Sequence, residues 1–162
     1  MKTFCITILI AMFFSISIKE TYAQTTQTQL NQVELMKQFI GTWKCELGKN
    51  TIYRSDNKQF GTGMACTIQV ITNGEIVESV KQLFGYDNKT DKYIVAELIK
   101  STSVIEIGTA WFVSEHTGEI VTSDSDSETI KFNFEFKTPD LIKETATLDN
   151  NIIVEMEFNR VK

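Results

Sequence analysis

Ile130-Lys131-Phe132-Asn133-Phe134-Glu135-Phe136-Lys137 alternates apolar and polar side chains without a break. Successive side chains of a β-strand point to opposite faces, so Ile130, Phe132, Phe134 and Phe136 share one face and the charged and amide groups share the other. A helix would scatter both sets around its surface. Ile152, Val154, Met156 and Phe158 repeat the pattern, with Glu155, Glu157 and Asn159 opposed.

Turn chemistry separates such runs along the chain: Asn73-Gly74, Asp87-Asn88-Lys89, His116-Thr117-Gly118, Ser123 to Ser127, Thr138-Pro139-Asp140 and Asp149-Asn150-Asn151. Asn73-Gly74 is the strongest, because a type I′ hairpin needs positive φ at both central residues. Between the turns, strands are expected over about 42–48, 51–55, 62–72, 75–85, 92–100, 103–114, 119–124, 128–137, 140–148 and 152–161. With no helical segment between them, the expected fold is all-β: one antiparallel meander barrel of about eight to ten strands. Closing the sheet removes its edge strands.

Ahead of the first strand, Leu30, Val33, Met36 or Lys37, and Ile40 fall at helical spacing, and Thr28 or Asn31 is placed to cap, which predicts one short N-terminal helix. Residues 24–29, Gln-Thr-Thr-Gln-Thr-Gln, have nothing to bury and read as a flexible tail. Residues 1–23 read as a cleavable signal peptide: Lys2 near the start, an apolar run from Phe4 to Ile18, and Thr21-Tyr22-Ala23 before the cut. The apolar run is short for a membrane span and ends at Lys19 and Glu20. The expected protein is therefore secreted or periplasmic, with no membrane insertion after cleavage and a single domain over residues 30–162.

The chain carries a formal charge of −5, and loss of the signal makes it one unit more negative. An acidic surface with no basic cluster argues against nucleic acid and anionic membrane as partners. Cys5 leaves with the signal, so Cys45 and Cys66 are the two cysteines of the exported form. Oxidising compartments allow them to pair; two separate buried thiols is the alternative.

Phe39-Ile40-Gly41-Thr42-Trp43-Lys44 resembles the opening Gly-x-Trp of the calycin superfamily, the lipocalins and fatty-acid-binding proteins. Gln82-Leu83-Phe84-Gly85-Tyr86-Asp87, followed by Lys92-Tyr93-Ile94-Val95, resembles a Gly-Tyr-Asp signature in a calycin-like family of uncharacterised secreted bacterial proteins. The resemblance implies a bacterial source, a short helix before the Gly-x-Trp strand, and a tryptophan that plugs the closed end of the barrel. There the glycine lets the chain approach closely while the large ring seals the floor.

Period two places Trp43 and Cys45 on one face of their strand and Met64, Cys66, Ile68 and Val70 on one face of another, so both thiols are expected inside and a disulfide across neighbouring strands is the hypothesis. The same reading sends Phe84, Ile105, Ile107, Trp111, Phe132, Phe134, Phe136, Met156 and Phe158 inward. Trp43, Met64, Phe84, Trp111, Phe132, Phe134 and Phe136 are thus the expected lining for one small apolar ligand, or else plain core. Arg54 and Arg160, the only arginines, are candidates to neutralise a ligand carboxylate, as fatty-acid binders do.

His116, the only histidine, offers a haem ligand by resemblance to calycin-like haem proteins, but its turn position favours solvent. A lone turn histidine does not equip a serine or cysteine nucleophile, so no catalytic residue is assigned. Asp124, Asp126 and Glu128 lack the glycine and terminal glutamate of a calcium loop, so no metal site is assigned either. The expectation is an exported, non-catalytic binder of an apolar or amphipathic molecule. The alternatives are a filled barrel acting as a structural or interaction module, and a haem-associated or enzymatic barrel. Oligomeric state has no sequence signature here.

Overall fold

The computed structural model describes residues 30–123 and 129–162. The expected signal, the polar tail and the side chains of Asp124, Asp126 and Glu128 lie outside them. A helix α1 (Gln32–Met36) runs into a 3-10 turn (Lys37–Phe39), and ten strands follow: β1 (Gly41–Glu46), β2 (Thr51–Phe60), β3 (Gly63–Thr72), β4 (Glu75–Asp87), β5 (Lys92–Ile99), β6 (Ile105–Phe112), β7 (Thr117–Ser123), β8 (Thr129–Thr138), β9 (Leu141–Leu148) and β10 (Asn151–Val161). Each strand pairs antiparallel with its sequence neighbours, and β1 pairs with β10, closing the barrel. The expected all-β meander with one short helix is the fold observed.

Local chemistry explains the elements. Asn31 caps α1, its side chain accepting from the Glu34 amide at 3.1 Å. Asn73 (φ 53°) and Gly74 (φ 86°) take the left-handed geometry a type I′ hairpin requires. The β8 alternation turns Phe134 and Phe136 into the core, as its pattern demands.

The helix covers one end of the barrel, and Gln32 ties it there. This buried side chain donates from Nε2 to the Phe112 carbonyl (3.0 Å) and accepts from the Phe112 amide at Oε1 (2.8 Å). It thereby treats the end of β6 as a strand would.

Four expectations are corrected. β2 runs to Phe60 rather than ending near residue 55, because its second half is polar on both faces and hides the alternation. In β6 the parity is reversed: Gly108, Ala110 and Phe112 are buried, while Ile105 and Ile107 are 64% and 53% exposed and Trp111 lies with its ring beneath Lys92 Nζ, 3.6 Å from the centroid. The register is set at the helix end, where Phe112 is tied to Gln32, and a one-residue slip would turn every side chain over. In β10 a bulge between Ile152 and Val154 puts Ile152 opposite Thr147 and leaves it 62% exposed. Finally, Cys45 and Cys66 are free and buried, and their strands are not neighbours. β2 runs between them, with Cys45 opposite Tyr53 and Cys66 opposite Asn57. Two strand spacings of about 4.8 Å, plus a stagger of four residues at about 3.3 Å each, exceed the reach of a disulfide.

Candidate functional site

The inward faces of the ten strands enclose a cavity of about 460 Å³ above the helix-covered floor. That size falls in the range of small-molecule sites, and most lining side chains are apolar.

The floor is aromatic. Phe39 from the 3-10 turn meets Phe134 (5.0 Å) and Phe136 (4.9 Å) edge-on, and Phe112 meets Phe134 at 5.1 Å. Trp43 joins through Phe136 at 6.1 Å and donates from Nε1 to the Phe39 carbonyl at 2.8 Å. Arg160 lies over the Trp43 ring, its guanidinium carbon 4.1 Å from the centroid. Its N–H groups donate to the carbonyls of Gln38 (2.9 Å), Pro139 (2.9 Å) and Ile40, and Nε faces Asp140 (3.2 Å). Gly41 (φ +122°) makes room for this latch, because a Cβ there would stand 2.8 Å from Arg160 Nη1.

These positions sort the expected ligand residues. Trp43, Met64, Phe84 and Phe132 line the cavity, while Phe134 and Phe136 lie in the floor beneath it. Trp111 is outside. Arg54 also faces out, beside Asp56 (3.4 Å), and Arg160 is committed to the floor carbonyls, so neither guanidinium is placed to neutralise a ligand carboxylate in the cavity. His116 stands exposed in the β6–β7 turn at the helix-covered end and does not line the cavity.

The polar lining escaped the sequence reading. Tyr53, Ser55 and Asn57 face in from β2, Gln82 from β4, Glu97 from β5, Glu106 from β6, Thr122 from β7 and Glu144 from β9. Gln82, Glu97 and Glu106 stand in register across three adjacent strands, and Gln82 Nε2 donates to Glu97 Oε2. Glu144 lies between Phe134 of β8 and Met156 of β10, with no hydrogen bond from a described residue. Asn57 donates from Nδ2 to the Phe39 carbonyl at 2.9 Å, and its buried Oδ1 has no partner among the described residues.

Burial sets the acidity of these groups. Loss of water pushes the Glu144 carboxyl up to about 7. Glu97 is raised by burial first, against the Gln82 hydrogen bond, and further by the nearby Glu106 charge. The Tyr53 hydroxyl is held well above its ordinary value by burial and then by Glu144. The Cys66 thiol, also on the cavity wall, is pushed up to about 12 by burial.

No known protein-family model matches this chain, and no curated protein matches it in sequence. Among the described residues no three His, Cys, Asp or Glu side chains are grouped to hold a metal ion, and no helix is long and apolar enough to cross a membrane. The cavity's lining suits reversible enclosure of an organic molecule: apolar walls for its body and carboxyl, amide and hydroxyl groups for a polar end.

Proposed function

We propose that this protein is an exported, calycin-like carrier that encloses one apolar or amphipathic molecule inside its barrel and does not transform it. The observation that carries the reading is the cavity of about 460 Å³ walled mainly by apolar side chains. A small barrel with no task for its interior fills it with side chains. Here the aromatic rings concentrate at the floor and leave the volume above open. The Gly-x-Trp strand behind a short helix, with its tryptophan in the floor, supports the calycin likeness. The apolar stretch at residues 4–18 supports delivery outside the cytoplasm, into the periplasm or the medium.

Thermal denaturation with a panel of apolar and amphipathic molecules, including fatty acids, retinoids, long-chain alcohols, alkylamines and haem, tests the carrier reading. A ligand at about a hundred times its Kd adds about 2.7 kcal/mol to the folded state and raises the melting temperature accordingly. Binding of the neutral fluorophore N-phenyl-1-naphthylamine, lost on Val70→Trp, locates the site in the cavity. If no member of the panel raises the melting temperature and the fluorophore stays dark, the carrier reading is wrong.

A further inference from the structure

The cavity wall bears three carboxyl side chains, Glu97, Glu106 and Glu144, and no lysine, arginine or histidine. Glu97 and Glu106 stand directly opposite each other on neighbouring strands, an arrangement that repels when both are charged. Only Glu97 has a neutral partner, the amide of Gln82. Glu144 faces the cavity with no hydrogen-bond partner among the described residues, and the Asn57 Oδ1 atom is likewise unpartnered although the residue is only 7% exposed. An acceptor held away from bulk water without a donor is costly, and Glu144 on β9 is such a group turned to the cavity, with Asn57 on β2 a second unpartnered acceptor among the lining residues. The aromatic side chains of Tyr53, Phe132 and Phe158 line the same space, the residue type that a cation favours.

Resting on the carrier reading, we infer that the ligand is an organic cation, a protonated amine or quaternary ammonium on an apolar body, with its head among Glu97, Glu106 and Glu144 and its body along the aliphatic and aromatic wall. A fatty acid is the wrong partner for this interior. Its carboxylate would meet three other carboxyl groups, and both arginines are outside or already bound. An inorganic metal ion also fits poorly, since the acidic groups are not gathered within one coordination sphere among the described residues.

The inference carries a pH dependence. The titratable groups facing Glu144 are Cys45 of β1, Tyr53 of β2, Cys66 of β3, Glu97 of β5 and Glu106 of β6. From β4 comes neutral Gln82, and β7, β8 and β10 contribute only non-titrating side chains. No base competes with the ligand for the carboxyl. With Glu144 poised near 7, a bound cation favours its ionised form, so binding releases a proton and weakens as the carboxyl becomes protonated.

The test is displacement of N-phenyl-1-naphthylamine by decyltrimethylammonium, decylamine, decanol and decanoate, followed by calorimetry in buffers of different ionisation enthalpy. At about pH 8 the two cations are expected to compete at concentrations about tenfold or more below decanol, with decanoate weakest. Decyltrimethylammonium, whose own charge does not titrate, should lose about tenfold in affinity for each pH unit below about 7, with proton release on binding. Glu144→Gln and Glu106→Gln should each narrow the ratio between decyltrimethylammonium and decanol, and the double variant should narrow it further. Equal or stronger binding of decanol or decanoate overturns the cation inference and leaves the carrier reading standing. A cation preference undiminished in the double variant also overturns it. If the fluorophore and all four competitors fail to bind, both readings fall together.

Discussion

Replacing Glu144 by glutamine should make the folded protein more stable at neutral and alkaline pH and leave it nearly unchanged in acid. The carboxyl has an ordinary value of 4.5 and is pushed up to about 7 in the fold by loss of water. A raised carboxyl contributes stability that is fully present below its unfolded value and is lost as the pH climbs through its folded one. At 1.36 kcal/mol per unit, the ionised group costs the fold about 3 kcal/mol by about pH 8. Glutamine keeps the shape and never ionises, so the gap between variant and parent opens from near zero at about pH 4 to about 3 kcal/mol at about pH 8. For a domain of this size that is about 10 °C in melting temperature. Melting followed by far-ultraviolet circular dichroism across the range measures the gap. Glu155→Gln on the outer face, where the parent side chain is exposed and 3.4 Å from Lys143, is the control and should show no comparable opening. Parallel curves for Glu144→Gln and its parent would refute the premise that this carboxyl is desolvated without a partner. A cationic ligand bound at about pH 8 should shrink the gap, since it stabilises the parent more than the variant.

Other expectations follow from the same geometry. Gln32→Ala removes both hydrogen bonds to the Phe112 backbone and should cost about 1–3 kcal/mol, read as a lower midpoint in urea denaturation. Arg160→Lys should behave almost as badly as Arg160→Ala, because an ammonium cannot reach three carbonyls while lying flat on Trp43; the tryptophan emission should shift in both variants, and full stability in the lysine variant would refute the latch. Cys45 and Cys66 should resist iodoacetamide in the native protein and react in denaturant without prior reduction, with mass spectrometry counting the adducts; burial holds the Cys66 thiol near 12, where thiolate is scarce.

Much of this barrel could be read from the chain because alternation and turn chemistry are local. β8 declared its buried face through four apolar residues, and Asn73-Gly74 declared its hairpin. Where the reading failed, the deciding interaction was distant. The parity of β6 depends on Phe112 being tied to Gln32, 80 residues away. The bulge in β10 breaks period two at a point where three apolar residues in a row look equally buried. The polar wall was hidden for a related reason: a glutamate in a strand pattern reads as solvent-facing. The signal was nonetheless present, since Tyr93, Val95 and Glu97 share one face, as do Ile142, Glu144 and Ala146. Counting in twos from a secure core residue would have carried those acids inward. The expected arginine–carboxylate match failed because sequence lists side chains without saying which are already engaged.

Arg160 reaches back across 120 residues to the Ile40 carbonyl, and the strand pair beside it joins the first strand to the last. Every other seam of the barrel forms between consecutive strands and needs only a short hairpin. This one alone requires almost the entire described chain to be present, and it carries the largest loop-closure entropy in the molecule. A chain threaded outward from its amino end can zip its hairpins as they emerge, but it cannot become a closed container until its final strand has arrived. Closure is thus the late step of folding, and under the carrier proposal a ligand enters a finished vessel or is trapped as the last stave drops into place.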